Sequence, residues 1–215
     1  MDNAYALVVG IADYRQVAQL PATVRKDAQD VRDILVSPQH CGYPDGNVKL
    51  LLDGEATRGG ILAALSDLAT RTGPTSGLLI YFSSHGVRLV SGSYAGEYLL
   101  PTDVILTTDE DLALTAISGA EFAEALRVIP ARKVLAIFDC CHSGGIGQLK
   151  APRVSSIKAG LPDGYYEKLA TGRGRAILSS SRESESSYIL PAATNSLFTH
   201  HLLAELPPGS RRHRL

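Results

Sequence analysis

The sequence predicts an α/β sandwich with a mostly parallel central sheet, formed by a single domain that does not span a membrane, and three observations support these expectations. Short apolar runs rich in β-branched residues alternate along the chain with longer stretches of helical period. The chain has 215 residues, of which 45% are apolar, so it can bury one sizeable core and is expected to form a single domain over residues 1–215. Its apolar runs are all far shorter than the twenty residues that a membrane span needs, so we expect no contact with a membrane.

The strands and helices follow from these patterns. The candidate strands are Tyr5–Ile11, Val48–Leu52, Leu78–Phe82, Val134–Phe138 and Arg175–Leu178. Apolar residues at helical spacing predict one helix around residues 24–35 and another around residues 61–68. A third helix begins at a capping box formed by Ser118 and Glu121 and ends before Pro130, and a last one runs from Ser196 to about Leu206. The glycine-containing segments 87–96 and 144–174 are predicted to be loops.

Charge and cysteine content exclude several classes of protein. The formal net charge is −1, which gives no overall attraction to nucleic acid, and we expect no nucleic-acid partner. The three cysteines are Cys41 and the adjacent pair Cys140 and Cys141, and an odd, adjacent set does not form a disulfide framework. The N-terminus carries Asp2 and no basic segment, unlike a signal peptide, so a reducing, cytoplasmic location is expected.

Two of the predicted strands run directly into reactive side chains. Leu78–Phe82 is followed by His85, and Val134–Phe138 is followed by Cys141. The carboxyl ends of parallel strands share one edge of the sheet, so both side chains are expected there. A thiol beside an imidazole is a nucleophile with its base, and the backbone amides of Gly86 and Cys141 are candidate oxyanion donors.

The two motifs resemble those of the caspase-like cysteine peptidases, and most closely those of metacaspases and bacterial orthocaspases. The motifs are Tyr-Phe-Ser-Ser-His-Gly around His85 and Asp-Cys-Cys-His-Ser-Gly around Cys141. His85 precedes Cys141 by a distance close to the roughly 50 residues typical of caspases. The resemblance extends along nearly the whole chain through the segments ALVVGIADY, KDAQDVRDIL, ATRGGILAAL, YLLPTD and SLFTHHLLAEL.

This resemblance implies a caspase-like fold and a cysteine endopeptidase with a dyad of His85 and Cys141. It also implies a zymogen in which a larger portion, about 1–145, and a smaller portion, about 175–215, are joined by a processing loop over about 145–174. Cleavage there by the enzyme itself or by an activating protein fits the basic residues of that loop, although an ordinary solvated loop explains them equally well. These basic residues are Lys150, Arg153, Lys158, Lys168 and Arg173.

The resemblance also indicates which substrates are cut. Asp139 stands two residues before the nucleophile, where caspases carry a neutral amide, and Asp27 and Ser83 match two further pocket positions of metacaspases. An acidic pocket favours a cationic guest, so we expect cleavage of proteins or peptides after Arg or Lys and not after Asp. The alternative for Asp27 is a solvated helix charge equivalent to Asp30 and Asp33.

The sequence also bears on calcium binding, on the oligomeric state and on alternative functions. Several metacaspases need calcium, and the acids that would bind it here are Asp103, Asp109, Glu110 and Asp111. Gln148 occupies the place where the last acidic ligand is expected, so we expect no required cofactor or metal. We expect a monomer. The alternative functions are a catalytically silent scaffold, a metal site built from the residues around Cys140, and another thiol acyl hydrolase.

Overall fold

The computed structural model describes residues 2–140, 157–158, 174–180 and 193–205, with 157–158 as backbone alone. In chain order its elements are β1 (Ala4–Gly10), α1 (Thr23–Val36), β2 (Val48–Leu52), α2 (Arg58–Arg71), β3 (Gly77–Ser83), β4 (Gly86–Leu89), β5 (Gly96–Leu99), α3 (Asp109–Thr115), β6 (Ile117–Ser118), α4 (Gly119–Arg127), β7 (Lys133–Phe138), β8 (Ile157–Lys158), β9 (Arg175–Ser179) and α5 (Leu197–Ala204). Two short 3-10 turns, Asp45–Asn47 and Asp53–Glu55, flank β2. None of the helices in these described ranges is both long enough and apolar enough to cross a membrane.

The central sheet contains the five predicted strands, all parallel, in the order β2-β1-β3-β7-β9. The predicted mostly parallel sheet is therefore confirmed. Strands β1 and β3 are buried on both faces, which is why they read as continuous apolar runs in the sequence. The register pairs Gly10 with Ser83 and Phe82 with Phe138, so the carboxyl ends of β1, β3 and β7 lie at one level.

Helices cover both faces of this sheet and give the three-layer sandwich. On one face, α1 and α5 pack against alternate strand residues, including Tyr81 and Ile137. On the other face, α2 and α4 bury a larger core. The rings of Phe82, Phe122 and Phe138 meet there with centroids 5.5–6.0 Å apart, which joins β3, α4 and β7.

Gly10 sets how closely α1 approaches the sheet. A Cβ atom added at Gly10 would lie 2.6 Å from Cβ of Ala28 and 3.2 Å from the carbonyl oxygen of Val24. Only a residue without a side chain fits this contact, because protein interiors are close-packed. The last strand residue of β1 therefore brings α1, which carries Asp27, directly onto the carboxyl edge.

The predicted helix starts are confirmed at their caps. The Ser118 hydroxyl accepts the N–H of Glu121 at 3.1 Å, and the Ser196 hydroxyl accepts the N–H of Thr199 at 3.1 Å. The Glu121 carboxylate does not complete the capping box, since it pairs with Arg58 at 2.6 Å. The described part of the last helix ends at Ala204, and its predicted end at Leu206 lies outside the described residues.

The prediction of a loop over residues 87–96 is wrong at both ends, where residues 87–89 belong to β4 and Gly96 begins β5, and holds for residues 90–95 between them. Strands β4 and β5 form an antiparallel hairpin within a second sheet, in the order β6-β5-β4-β8. Val87 and Leu89 alternate with Arg88 and are 1% and 3% exposed, a strand pattern too short to stand out beside the Gly and Ser residues that follow. Of the predicted loop 144–174, the structure describes Gly174 and a short strand, Ile157–Lys158, paired with β4.

Candidate functional site

Main-chain hydrogen bonds align the ends of four strands, β1, β3, β7 and β9, at the carboxyl edge of the parallel sheet. The N–H of Ile11 donates to the carbonyl of Ser83 at 2.9 Å, and the N–H of Asp139 donates to that of Phe82 at 2.7 Å. The N–H of Ser180 continues the ladder to the carbonyl of Phe138 at 3.0 Å. The sheet therefore brings the residues after β3 and β7 side by side, as expected from their order in the sequence.

His85 lies at this edge with one ring nitrogen engaged. Its Nε2 atom is 2.9 Å from the carbonyl oxygen of Ala18 in the loop between β1 and α1. A carbonyl only accepts, so Nε2 carries the proton and Nδ1 of the neutral ring holds the lone pair. Nδ1 is buried and has no hydrogen-bond partner among the described residues. The ring is thus prepared to accept a proton at Nδ1.

Tyr14 holds the backbone of the same histidine. The N–H of His85 donates to the Tyr14 hydroxyl at 2.9 Å, and that hydroxyl donates to the carbonyl of Leu100 at 3.2 Å. The N–H of Leu100 donates to the carbonyl of His85 at 3.1 Å. The centroids of the Tyr14 and His85 rings are 5.0 Å apart. Burial raises the pKa of Tyr14 well above its usual range, so its hydroxyl keeps the proton that it donates.

Burial also decides the charge of His85. It lowers the pKa of the imidazole below its ordinary value of 6.5, while the hydrogen bond to Ala18 opposes this effect. A buried imidazole with a lowered pKa is neutral near pH 7. A neutral imidazole whose Nδ1 lone pair is unused among the described residues has the properties that a general base requires.

Of the two adjacent cysteines, Cys140 is the one that the structure describes. It is buried in the larger core. Cys141 follows it directly in the chain and lies outside the described residues, and so do its amide and the histidine that follows it. Gly86, the other candidate oxyanion donor, begins β4 and pairs in register with Leu99.

The two predicted pocket acids come together through the last helix. Asp27 on α1 and Asp139 after β7 are both fully buried. The N–H of Ser196 donates to the Asp27 carboxylate at 3.1 and 3.2 Å, and the Ser196 hydroxyl donates to Asp139 at 2.5 Å. One residue, the N-cap of α5, therefore connects both carboxylates.

Further donors complete this acidic cluster. The Asn195 side-chain amide donates to Asp27 at 2.9 Å. The Thr199 hydroxyl donates to Asp139 at 2.9 Å and in turn accepts from Tyr81 at 2.7 Å, since its own proton is already used. The burial of Asp27 is therefore compensated by hydrogen bonds, which a buried carboxylate requires.

Asp27 is nevertheless difficult to ionise. Its pKa is raised from 3.8 to about 6: burial is the main cause and the nearby Asp139 adds to it, while the hydrogen bonds from Asn195 and Ser196 oppose both effects. A cation close to Asp27 would stabilise the ionised form of this carboxyl group. The solvated helix charge that was the alternative for Asp27 is wrong, because Asp27 is 0% exposed, whereas Asp30 is half-buried and Asp33 is exposed.

Ser83 belongs to the same face of the sheet by strand alternation, since Tyr81 packs on the side of α1 and α5. Its hydroxyl is buried without a hydrogen-bond partner among the described residues. The sequence reasoning missed Asn195, Ser196 and Thr199. The Ser-x-x-Thr start of the last helix was visible as a cap, but not its contact with acids far away in the chain.

The four candidate calcium ligands lie near α3. Asp103 accepts the N–H of Arg58 at 2.8 Å, and Asp111 accepts from the Thr108 hydroxyl at 2.9 Å. Asp109, Glu110 and Asp111 form the first turn of α3, where acidic side chains favour the helix dipole. Within the described ranges, no group of three or more His, Cys, Asp or Glu side chains is arranged to hold a metal ion.

Comparison with known proteins gives consistent matches. A family model described as the caspase domain matches residues 3–213. Metacaspase-4 of Arabidopsis thaliana is 28% identical over 153 residues, a match that covers 66% of this chain and 34% of the relative, so the chain spans about a third of that protein. The crystal structure of protein GSU0716 from Geobacter sulfurreducens superposes with a TM-score of 0.65 at 19% identity, covering 94% of this chain and 81% of that one, and shows a shared fold.

Proposed function

The chain belongs to the caspase family of peptidase domains, and from that premise we propose that it is a cysteine endopeptidase that cleaves proteins or peptides after Arg or Lys. The observation that carries this proposal is the buried Nδ1 of His85, free of any described hydrogen bond beside the chain segment that leads into Cys141. A neutral imidazole fixed in one orientation is what a thiol needs as its base.

The proposed reaction has two halves. His85 Nδ1 accepts the proton of the Cys141 thiol, and the thiolate attacks the carbonyl carbon of the scissile bond. The N–H groups of Gly86 and Cys141 stabilise the resulting oxyanion. The imidazolium then donates its proton to the leaving amine, and a water molecule hydrolyses the thioester with His85 again as base.

Substrate choice rests on Asp27, Ser83 and Asp139. Two carboxylates bridged by Ser196 concentrate negative charge in a buried part of the carboxyl edge. A guanidinium or ammonium group of a substrate would supply the missing positive charge and form charge-assisted hydrogen bonds there. A substrate Asp would be repelled. The neighbouring positions of β3 and β7 in the sheet support a pocket close to the proposed catalytic residues.

The segment 145–174 is the proposed place at which the activity of the enzyme is regulated. A protease that prefers basic residues can cut its own chain at Lys150, Arg153, Lys158, Lys168 or Arg173. We propose that such cleavage, or an activating protein, controls the enzyme. The Cys141→Ala variant would then remain intact under conditions in which the wild-type chain is cut.

A peptide panel tests this proposal. Fluorogenic peptides ending in Arg, Lys or Asp are incubated with the wild-type protein and with Cys141→Ala, each with and without calcium. We expect hydrolysis after Arg and Lys by the wild type alone. Equal activity of Cys141→Ala, or faster hydrolysis after Asp, would contradict the proposal, and complete inactivity of a folded wild type after loop cleavage would favour a silent scaffold.

A further inference from the structure

Asp53 is held in a backbone conformation that side chains normally avoid. It follows β2 and begins a 3-10 turn with φ of +41°, which makes it the one non-glycine residue with a positive φ among the described residues. Left-handed backbone is unfavourable for residues with a Cβ atom and persists where surrounding contacts impose it. For Asp53 these contacts are made by its side-chain carboxylate.

One oxygen of Asp53 holds the start of the loop between β1 and α1. Its Oδ1 atom accepts the N–H of Ala12 at 2.8 Å and the N–H of Asp13 at 2.9 Å. The second oxygen, Oδ2, pairs with the half-exposed Arg25 at 3.2 Å. The two carboxylate oxygens therefore have different partners, and only Oδ1 accepts hydrogen bonds from the loop.

Two further hydrogen bonds connect this end of the loop to His85. The carbonyl of Ala12 accepts the N–H of Leu20 at 2.9 Å, which closes the loop, and Ala18 lies two residues before Leu20. The carbonyl of Ala18 then accepts the Nε2 proton of His85. Ala18 is itself exposed, so its position depends on the hydrogen bonds that close the loop and on the buried side chains of Val17 and Leu20.

Thr102 is a second support for the same loop. Its hydroxyl donates to the carbonyl of Asp13 at 2.7 Å, and its own carbonyl accepts the N–H of Arg15 at 3.4 Å. Asp13 is therefore fixed at its N–H by Asp53 and at its carbonyl by Thr102. The two peptide units that flank the Asp13 α-carbon are therefore each anchored by one hydrogen bond.

We propose that Asp53 is a positioning residue for His85: through Oδ1 it fixes the loop whose Ala18 carbonyl selects the Nε2-protonated form of the imidazole and leaves Nδ1 as the base. The consequence for activity rests on the proposed function, whereas the effect on the imidazole does not. Without this acceptor the loop relaxes, the Ala18 carbonyl moves, and His85 loses its fixed orientation. A displacement of about 1 Å is enough to slow an enzyme by up to about 100-fold.

Two substitutions separate the acceptor from the backbone conformation. Asp53→Gly adopts a positive φ without strain but removes the acceptor. Asp53→Asn tolerates the same φ and keeps a carbonyl oxygen that can accept from Ala12 and Asp13. A purely conformational role for Asp53 would make glycine the better substitute, whereas a positioning role makes asparagine the better one. Arg25→Ala is the matched control, because it removes the partner of Oδ2 alone.

The readout is the imidazole itself. In the 15N-labelled protein we expect a hydrogen-bonded His85 Nε2 proton that exchanges slowly with water in the wild type, in Asp53→Asn and in Arg25→Ala. In Asp53→Gly this signal should disappear, and kcat/KM for an Arg peptide should fall about 10- to 100-fold, mainly through kcat. Asp53→Asn should retain kcat/KM within about threefold of the wild type.

Thr102→Val covers the case in which Asp53→Gly does not fold. It removes the second anchor of Asp13 with little change of shape and should also accelerate exchange of the His85 Nε2 proton. The proposal is overturned if the folded Asp53→Gly protein, or Thr102→Val in its place, keeps the slow Nε2 proton, or if Asp53→Asn loses it. A wild type that cleaves no peptide would contradict the proposed function, but the exchange measurement would still decide the role of Asp53.

Discussion

The side-chain nitrogen of Asn195 lies 2.9 Å from Oδ1 of Asp27, which connects the start of the last helix to the buried carboxylate of the first. The same nitrogen is 2.8 Å from Asp30, so one amide bridges two acids. Asn195, which lies just before α5, therefore holds the Asp27 carboxylate of the proposed pocket in place.

Removing that amide should destabilise the protein in a pH-dependent way. Asn195→Ala takes away a hydrogen bond that lowers the pKa of Asp27, so this pKa should rise above about 6. At pH 7 the ionised carboxylate loses a donor, at a cost of about 1–3 kcal/mol, whereas near pH 5 the carboxyl is protonated and the loss is smaller. Urea unfolding at both pH values measures this difference. Asn47→Ala, whose side chain donates to the carbonyls of Asp2 and Ala4, is the control and should show the same loss at each pH.

Asp27 should also give the wild type a characteristic stability profile. Its pKa is about 6 in the folded protein and near 3.8 when unfolded, so the native state holds more protons between these values. Stability therefore falls as pH rises from about 4 to 6, by roughly 3 kcal/mol in total. Asp27→Asn has no proton to lose and should give a flatter profile over this range, unlike the surface control Asp67→Asn. Two profiles of equal slope would show that Asp27 is not the group responsible.

The pH dependence of peptide cleavage should reflect His85. Burial lowers its pKa, so the imidazole remains a neutral base until the pH falls below 6.5. We expect kcat/KM to stay level toward acid down to about pH 6.5 and to decline only below that value. Replacing His85 by Ala should reduce kcat about 100- to 10,000-fold. An acidic limb that begins above pH 7 would mean that the ring is charged at neutral pH and acts differently.

Asp139 should control selectivity without being needed for the chemistry. In Asp139→Asn the Ser196 and Thr199 hydroxyls still have an oxygen to bond, but the pocket loses a charge. Cleavage after Arg should fall about 10- to 100-fold, the size expected for a lost charge-assisted hydrogen bond. A peptide with a neutral residue at the same place should be affected less. The exposed Asp33→Asn serves as the control, and an equal decline for charged and neutral peptides would argue against a pocket role.

The contact between Gly10 and Ala28 can be tested by compensation. Gly10→Ala places a Cβ atom 2.6 Å from that of Ala28 and should cost about 1–3 kcal/mol of stability. Adding Ala28→Gly removes the other carbon and should restore part of the loss, so the two substitutions should be non-additive. Thermal or urea unfolding of the four proteins gives the coupling. Simple additivity would mean that the helix can move away from the strand.

The parallel sheet could be predicted from the sequence because its central strands β1, β3 and β7 are nearly continuous apolar runs. The short β4 was not recognised, since Val87 and Leu89 alternate over too few residues beside a Gly- and Ser-rich tip. Pairing of β4 with Ile157–Lys158 depends on residues far away in the chain, which no local pattern reveals.

The same distinction applies to the candidate site. His85, Asp27 and Asp139 were identifiable because their residue types are reactive and their motifs resemble known ones. Ala18 was not, because it acts through its carbonyl oxygen, which every residue possesses. The bridging role of Ser196 required knowledge of how the last helix packs against the first.

The main-chain ladder at the carboxyl edge has a consequence for how such a protein diverges. Ser83 and Asp139 are held in place by their peptide groups or those of adjacent residues, whatever their side chains are. Substitutions at these positions can therefore alter the chemistry of the edge while leaving its geometry intact. Under the proposed function, a substitution at one of these two positions would change substrate preference while the main-chain alignment of the neighbouring strand ends is kept.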